Sequence, residues 1–138
     1  MEQERKIVTA IPGPKSTALH TNRLKHVSAG VGAALPVYIE RAHGAILQDV
    51  DGNQFIDLGS GIGVVTIGHT NDGVVKAVQE QVAKLTHTLF TVTPYEPYVR
   101  VAELLNAHTP GNFAKKSALF NSGAEAVENA VKFARKFT

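Results

Sequence analysis

The sequence predicts an α/β fold, and three features predict it. The first is Ser117-Ala118-Leu119-Phe120, a short apolar run that the small residues Asn121-Ser122-Gly123 break before a helical period begins. The second is Asp51-Gly52 set between two apolar runs, the strongest short signal for a β-hairpin. The third is a pair of further helical periods, opening near Gly73 and near Pro94. Composition agrees. The chain has 138 residues, of which 43% are hydrophobic and 19% charged, enough for one packed domain at most. The net charge is +2. Its basic residues are scattered, with no run beyond Lys115-Lys116, so there is no nucleic-acid or membrane-surface footprint. The absence of cysteine excludes disulfides, a thiol nucleophile and thiolate metal sites. The N-terminus lacks the apolar core of a secretory signal, and no apolar run approaches the ~18 residues of a membrane span. The expectation is a soluble, cytoplasmic protein.

Residues 1–36 are polar and punctuated by Pro12, Gly13, Pro14, Gly30, Gly32 and Pro36, which predicts an extended arm with one short helical turn. Ala45–Asp49 and Gln54–Leu58 are the strands of the predicted hairpin. Gly59-Ser60-Gly61-Ile62-Gly63 lacks the third glycine spacing of the dinucleotide fingerprint, and no helix starts directly after it. It reads as a flexible entry into a strand over Val64–Ile67. A helix is predicted from about Gly73 to Leu85, capped by Asn71 or Asp72, with Val74, Val78, Val82 and Leu85 as its apolar stripe. His69, in the turn before it, reads as a hydrogen-bonded structural residue in preference to a general base. His43, His87 and His108 have no spacing that suggests metal ligation. Thr86–Val92 forms an irregular or strand-like link. Thr93-Pro94-Tyr95-Glu96 has capping-box spacing with proline at the favoured first helical position, so a helix should run from there to about Ala107, with Val101, Leu104 and Leu105 inward.

The last element carries the chemistry. Val127, Ala130, Val131, Ala134 and Phe137 make an apolar face. Glu125, Glu128, Lys132 and Lys136 make the polar one, with Glu128 four residues before Lys132 in the favourable order for an ion pair. Ser122 and Glu125 can form a capping box, which accounts for both without any ligand. The same turn can also hold an anion. Free amides and aligned peptide dipoles favour negative charge at a helix start, and Gly123 and Ala124 leave their backbone open to a phosphate.

The run Phe120-Asn-Ser-Gly-Ala-Glu-Ala-Val-Glu-Asn-Ala-Val-Lys-Phe-Ala-Arg135 resembles the phosphate-binding turn of the class III (subgroup II) pyridoxal-phosphate aminotransferases. Within that family it is closest to the members acting on 4-aminobutyrate. The resemblance extends through DVDGNQFIDLGSGIGVVTIGH, THTLFTVTPYEPYVRVAELLN and PGNFAKKSALFNSGAEAVENAVKFAR, so it covers roughly residues 35–138 with the segments in the same order. It implies the N-terminal part, incomplete, of the fold type I transferase architecture. In domain terms that is an N-terminal arm over 1–36, a small-domain hairpin segment over 37–70 and the start of the large cofactor-binding domain over 71–138. It implies pyridoxal 5'-phosphate as cofactor, held by the backbone of Gly123 and Ala124 with help from Ser122. By the same resemblance Ile62 lines the substrate pocket, and Phe90-Thr91 approaches the site across a subunit boundary. Some relatives have glutamine where Thr91 stands. The arm would touch the partner subunit of a homodimer or larger assembly.

The helix that reaches Thr138 has no terminating glycine or proline, and a lone βα unit lacks its second parallel strand. The expectation is therefore the N-terminal piece of a longer chain. In the family the lysine that forms a Schiff base with the cofactor lies far downstream, as do the pyridinium partner and the substrate-carboxylate arginine. Lys115, Lys116, Lys132 and Lys136 do not stand in that place, so no catalytic residue is assigned here. The implied reaction of the parent is amino-group transfer from an ω-amino acid such as 4-aminobutyrate to 2-oxoglutarate. The alternatives are a member acting on acetylornithine, ornithine or diaminobutyrate, a non-catalytic interaction fragment, and an unrelated α/β phosphate-binding module. No metal, nucleic acid or membrane is implied.

Overall fold

A computed structural model describes every residue from Met1 to Thr138. The chain divides into two units, Met1–Lys84 and Leu85–Thr138.

The first unit is built on a three-stranded antiparallel sheet in the order β1-β2-β3, with β1 Ile39–His43, β2 Ile46–Asp49 and β3 Gln54–Ile56. The hairpin expected around Asp51-Gly52 is present: Ile46 faces Ile56, Leu47 faces Phe55 and Gln48 faces Gln54. Gly52 sits at φ 93°, a backbone angle that favours glycine. β1 was not expected, because Glu40 and Arg41 interrupt its apolar alternation. It forms by pairing Ala42 with Leu47 and His43 with Ile46. β3 stops at Ile56, short of the predicted Leu58, because the Asp57 carboxylate draws the amides of Gly59 and Ser60 into a turn, both at 2.9 Å.

Polar side chains organise this unit. Ile46 is the one buried hydrophobic residue, at 2% exposure, whereas Ser16, Asp49 and Asn53 are wholly buried. The Asn53 carboxamide oxygen accepts the amides of Val8 at 2.8 Å and Thr9 at 2.9 Å. Its nitrogen donates to the Thr9 hydroxyl and to Asp49, each at 2.8 Å. The N-terminal segment is thereby tied to the hairpin, where Lys6 also forms a backbone bridge with Gln54. The extended arm expected over 1–36 instead contains α1, Pro14–His26. Gly13 offers this helix no side-chain cap. Asp51 caps it from the hairpin loop, accepting from the amides of Lys15 at 2.8 Å and Ser16 at 2.9 Å. A cap supplied from 36 residues away along the chain leaves no local signal.

The strand expected over Val64–Ile67 is absent. Ser60, Gly61, Ile62 and Gly63 all have positive φ, between 48° and 75°. They wind one short left-handed turn, α2, Ser60–Gly63, closed by Val64 donating to the Ser60 carbonyl at 2.9 Å. The chain then turns again into α3, Asp72–Lys84. As predicted, Asn71 caps α3, its side-chain oxygen accepting the amides of Gly73 and Val74.

In the second unit α4 spans Glu96–His108 and α5 spans Gly123–Phe137. α4 begins later than its predicted capping box, with Tyr95 at the cap position and no side-chain cap. Thr93 faces Thr88 instead, and its amide donates to the Leu89 carbonyl. Pro97, rather than Pro94, occupies the first turn. Ser117–Phe120 forms no regular element and is not a strand, since no neighbouring strand supplies hydrogen bonds. Two side chains of α4 hold it: Asn106 accepts from the Ser117 hydroxyl at 2.8 Å, and the Tyr98 hydroxyl accepts from the Leu119 amide at 2.9 Å. The predicted ion pair forms, with Lys132 at 2.6 Å from Glu128.

The apolar stripes of α3, α4 and α5 are where the sequence predicts them, and they are uncovered. Val78, Leu104 and Val131 are 54%, 44% and 53% exposed. Even as two separately compact units, 14.7 kDa of protein exposes roughly 8,000 Å²; this chain exposes 10978 Å².

Candidate functional site

The turn that opens α5 carries the candidate anion site. Ser122 is in extended conformation (φ −149°, ψ 160°), and its hydroxyl accepts the Glu125 amide at 3.2 Å. The Glu125 carboxylate folds back to the Asn121 amide at 2.9 Å. Both halves of the expected capping box are therefore made. The amides of Gly123 and Ala124 have no hydrogen-bond partner, and both residues are exposed. A Cβ at Gly123 would meet nothing within 4 Å, so the approach to these amides is open. The Ser122 hydroxyl accepts one bond and retains its own proton to donate.

This donor set fits a phosphate. It offers two free N–H groups at the positive end of a helix and one hydroxyl, with no bulk in front of them. Hydrogen bonds to a charged acceptor contribute about 1.5–3 kcal/mol each. Three segment-level anchors hold the turn from behind: the Ser117 and Leu119 contacts to α4 and the Glu125 fold-back.

Ile62 lies in the left-handed turn of the first unit at φ 62°, ψ 54°, with 97% of its surface exposed. That conformation costs a β-branched residue about 1–2 kcal/mol, so something must hold the turn. Thr91 lies in the second unit, exposed, in a turn where Val92 donates to the Leu89 carbonyl at 2.9 Å. Its neighbour Phe90 stacks on Tyr98, centroids 4.0 Å apart, with Tyr95 edge-on to both rings. Tyr98, unnoticed in the sequence, thus touches both the Thr91 turn and the segment entering α5; only its helical position was legible.

Asp57 is the other residue that the sequence did not announce. His69 Nε2 lies 2.6 Å from Asp57 Oδ2, and both side chains are largely shielded, at 18% and 12% exposure. The hydrogen bond from His69, then the Gly59 amide, hold the Asp57 carboxyl below the usual carboxylate range; partial burial opposes this, and the Ser60 amide and the His69 charge assist. Asp51 is also lowered. Partial burial pushes it up, and the amides of Ser16 and Lys15, the Ser16 hydroxyl and the Lys15 charge together outweigh that. No group of three or more histidine, aspartate or glutamate side chains is placed to hold a metal ion. No helix is long and apolar enough to cross a membrane.

The free N-terminal amides of α5 lie within Asn121-Ser-Gly-Ala-Glu125, downstream in sequence of an antiparallel hairpin. The class-III aminotransferase family profile matches residues 27–138, and the chain belongs to that family. It is 62% identical to the 4-aminobutyrate aminotransferase of Mycobacterium bovis over all 138 residues, which is 31% of that protein's length. It is 48% identical to a 5-aminovalerate aminotransferase of Pseudomonas aeruginosa over 121 residues, 88% of this chain and 28% of the relative. The chain thus spans about a third of the curated relatives it matches. Among solved structures, it matches acetylornithine aminotransferase from Elizabethkingia anophelis with a TM-score of 0.70 and 32% identity, over 88% of this chain and 30% of that one. The fold also matches taurine:2-oxoglutarate aminotransferase from Bifidobacterium kashiwanohense, solved in complex with PLP and glutamate, with a TM-score of 0.77 and 24% identity, over 99% of this chain and 28% of that one. The α/β fold expected from the sequence is therefore that of the pyridoxal-phosphate-dependent aminotransferases.

Proposed function

We propose that this chain is the N-terminal portion of an aminotransferase that uses pyridoxal 5'-phosphate to move an amino group from an ω-amino acid, 4-aminobutyrate foremost, to 2-oxoglutarate. The observation that carries this reading is the pair of unpartnered amides at Gly123 and Ala124, in a chain 62% identical to a 4-aminobutyrate aminotransferase. These amides and the Ser122 hydroxyl bind the cofactor phosphate, and Glu125 keeps the turn in the shape that presents them. Bound, the cofactor supplies the aldehyde and the electron-withdrawing ring on which amino transfer depends. Ile62 lines the substrate pocket by apolar contact, and Thr91 approaches the substrate side across the subunit boundary of the assembled parent. In domain terms 1–36 is the arm, 37–70 the small-domain hairpin segment and 71–138 the start of the large domain; the parent assembles as a homodimer or larger.

The 138-residue chain alone does not transaminate. Amino transfer on this cofactor needs a lysine that binds it covalently and moves a proton. Lys132 is paired with Glu128 on an exposed face, and Lys115 is turned to the Gly111 carbonyl.

The full-length parent, supplied with cofactor and 2-oxoglutarate, is tested against 4-aminobutyrate, 5-aminovalerate, acetylornithine, ornithine and diaminobutyrate. Glutamate formation fastest with 4-aminobutyrate is expected. Preference for acetylornithine, which the 32% identity to that structure favours as a second reading, would move the substrate assignment and leave the phosphate site standing. Failure to form glutamate from any amino donor refutes the proposed function.

A further inference from the structure

We propose that Asp57 and His69 form a clasp that positions Ile62 on the substrate side, an inference that rests on the reading of Ile62 above. His69 is fixed at one end. Its amide donates to the Gly44 carbonyl at 2.8 Å, and its carbonyl accepts the Gly44 amide at 3.0 Å. Gly68 makes this approach feasible, because a Cβ there would stand 3.3 Å from the Gly44 backbone. Asp57 is fixed at the other end, its amide donating to the carbonyl of Ala45 at 2.9 Å. The segment 57–69 therefore leaves and rejoins the sheet at two adjacent residues, Gly44 and Ala45.

Between these anchors the Asp57 carboxylate does two things at once. Oδ2 meets His69 Nε2 at 2.6 Å, closing the loop. Oδ1 accepts the amides of Gly59 and Ser60 at 2.9 Å. Those residues lead directly into the left-handed turn at whose third position Ile62 stands. One side chain thus connects the anchored histidine to the start of a strained turn that buries no side chain of its own. Backbone bonds from Gly63 to the Gly59 carbonyl and from Val64 and Val65 to the Ser60 carbonyl close the turn itself. The Asp57 carboxylate fixes where it starts, and so helps Ser60 and Ile62 keep positive φ. With Nε2 engaged by a carboxylate, His69 acts here as a positioning residue and not as a base.

The test uses the full-length parent loaded with cofactor and compares His69→Ala, Asp57→Ala and His69→Gln, the last placing a side-chain N–H where Nε2 stands. His69→Ala and Asp57→Ala should raise KM for the amino donor about tenfold while kcat stays within about threefold. Cofactor affinity should be unchanged, since the phosphate turn is untouched. His69→Gln should restore KM. Hydrogen exchange at the Gly59 and Ser60 amides provides the readout independent of turnover: faster in His69→Ala, slow again in His69→Gln. Unchanged KM and unchanged exchange in His69→Ala overturn the proposal, as does a His69→Gln variant indistinguishable from His69→Ala. If the unsubstituted parent turns over no amino donor, the proposed function fails, and the exchange measurement still decides whether the clasp holds the turn.

Discussion

The two units of this chain are held by different forces. In the first, polar side chains, buried at Asn53 and partly shielded at Asp51 and Asp57, tie together separate segments: Asn53 to Val8 and Thr9, Asp51 to Lys15 and Ser16, Asp57 to His69. In the second, order is mostly local, from the Ser122 cap, the helical hydrogen bonds and an aromatic stack, and the apolar stripes of its helices face outward. The difference separates specificity from stabilisation. Hydrogen bonds to buried groups fix one geometry for the hairpin corner, because leaving any partner unmade is costly. The second unit presents a well-formed cap and turn on helices whose apolar faces this chain does not bury.

That contrast can be broken or sharpened by substitution. Asn53→Ala deprives the Val8 and Thr9 amides of their acceptor and removes one bond each from the Thr9 hydroxyl and Asp49, and should destabilise the first unit by about 3 kcal/mol. Denaturant unfolding with hydrogen exchange at Val8 and Thr9 reads this, and a loss confined to the second unit would invert the comparison. Tyr98→Phe keeps the stack on Phe90 and removes the acceptor of the Leu119 amide. Its expected cost is about 1 kcal/mol, seen as faster exchange at Leu119 with the aromatic resonances of Phe90 unmoved. Acid should act on the first unit before the second. Asp51 and Asp57 titrate below their unfolded value near 3.8, so their contribution is complete above about pH 4 and is lost as pH falls through the lower folded values. Stability followed from pH 6 to pH 2 should decline at the acid end, less steeply in Asp57→Asn. Glu128→Ala removes an ion pair whose partners are both 62% exposed, and should change stability by about 0.4 kcal/mol or less, a difference that added salt erases.

What the sequence disclosed follows the same division. Features set by near neighbours were legible: the Asp51-Gly52 hairpin, the Asn71 cap, the Ser122–Glu125 box and the Glu128–Lys132 pair. Features set by distant partners were not. α1 draws its cap from Asp51, and β1 exists because β2 lies beside it. Ser117–Phe120 shows the converse, an apolar run without a neighbour to make it a strand. Ile62 showed its residue type and not its left-handed backbone. At the turn proposed to hold phosphate, the cap was legible from Ser122 and Glu125, and its free amides are main-chain groups that small residues expose. Asp57 and His69 stand twelve positions apart, and nothing in the intervening pattern pairs them.

The most direct test of the proposed phosphate seat is cofactor binding by the full-length parent carrying Gly123→Pro. Residue 123 is the first of the helix and Ser122 before it is extended, so proline fits the backbone, and it replaces the amide hydrogen with the ring Cδ on the side a phosphate would approach. Absorbance titration with pyridoxal phosphate should show affinity weakened at least about 10- to 100-fold, the loss of one hydrogen bond to a charged oxygen together with the bulk of the ring in its place, with helix content unchanged. Affinity equal to that of the unsubstituted protein, with the helix intact, would show that the amide at position 123 does not hold the phosphate.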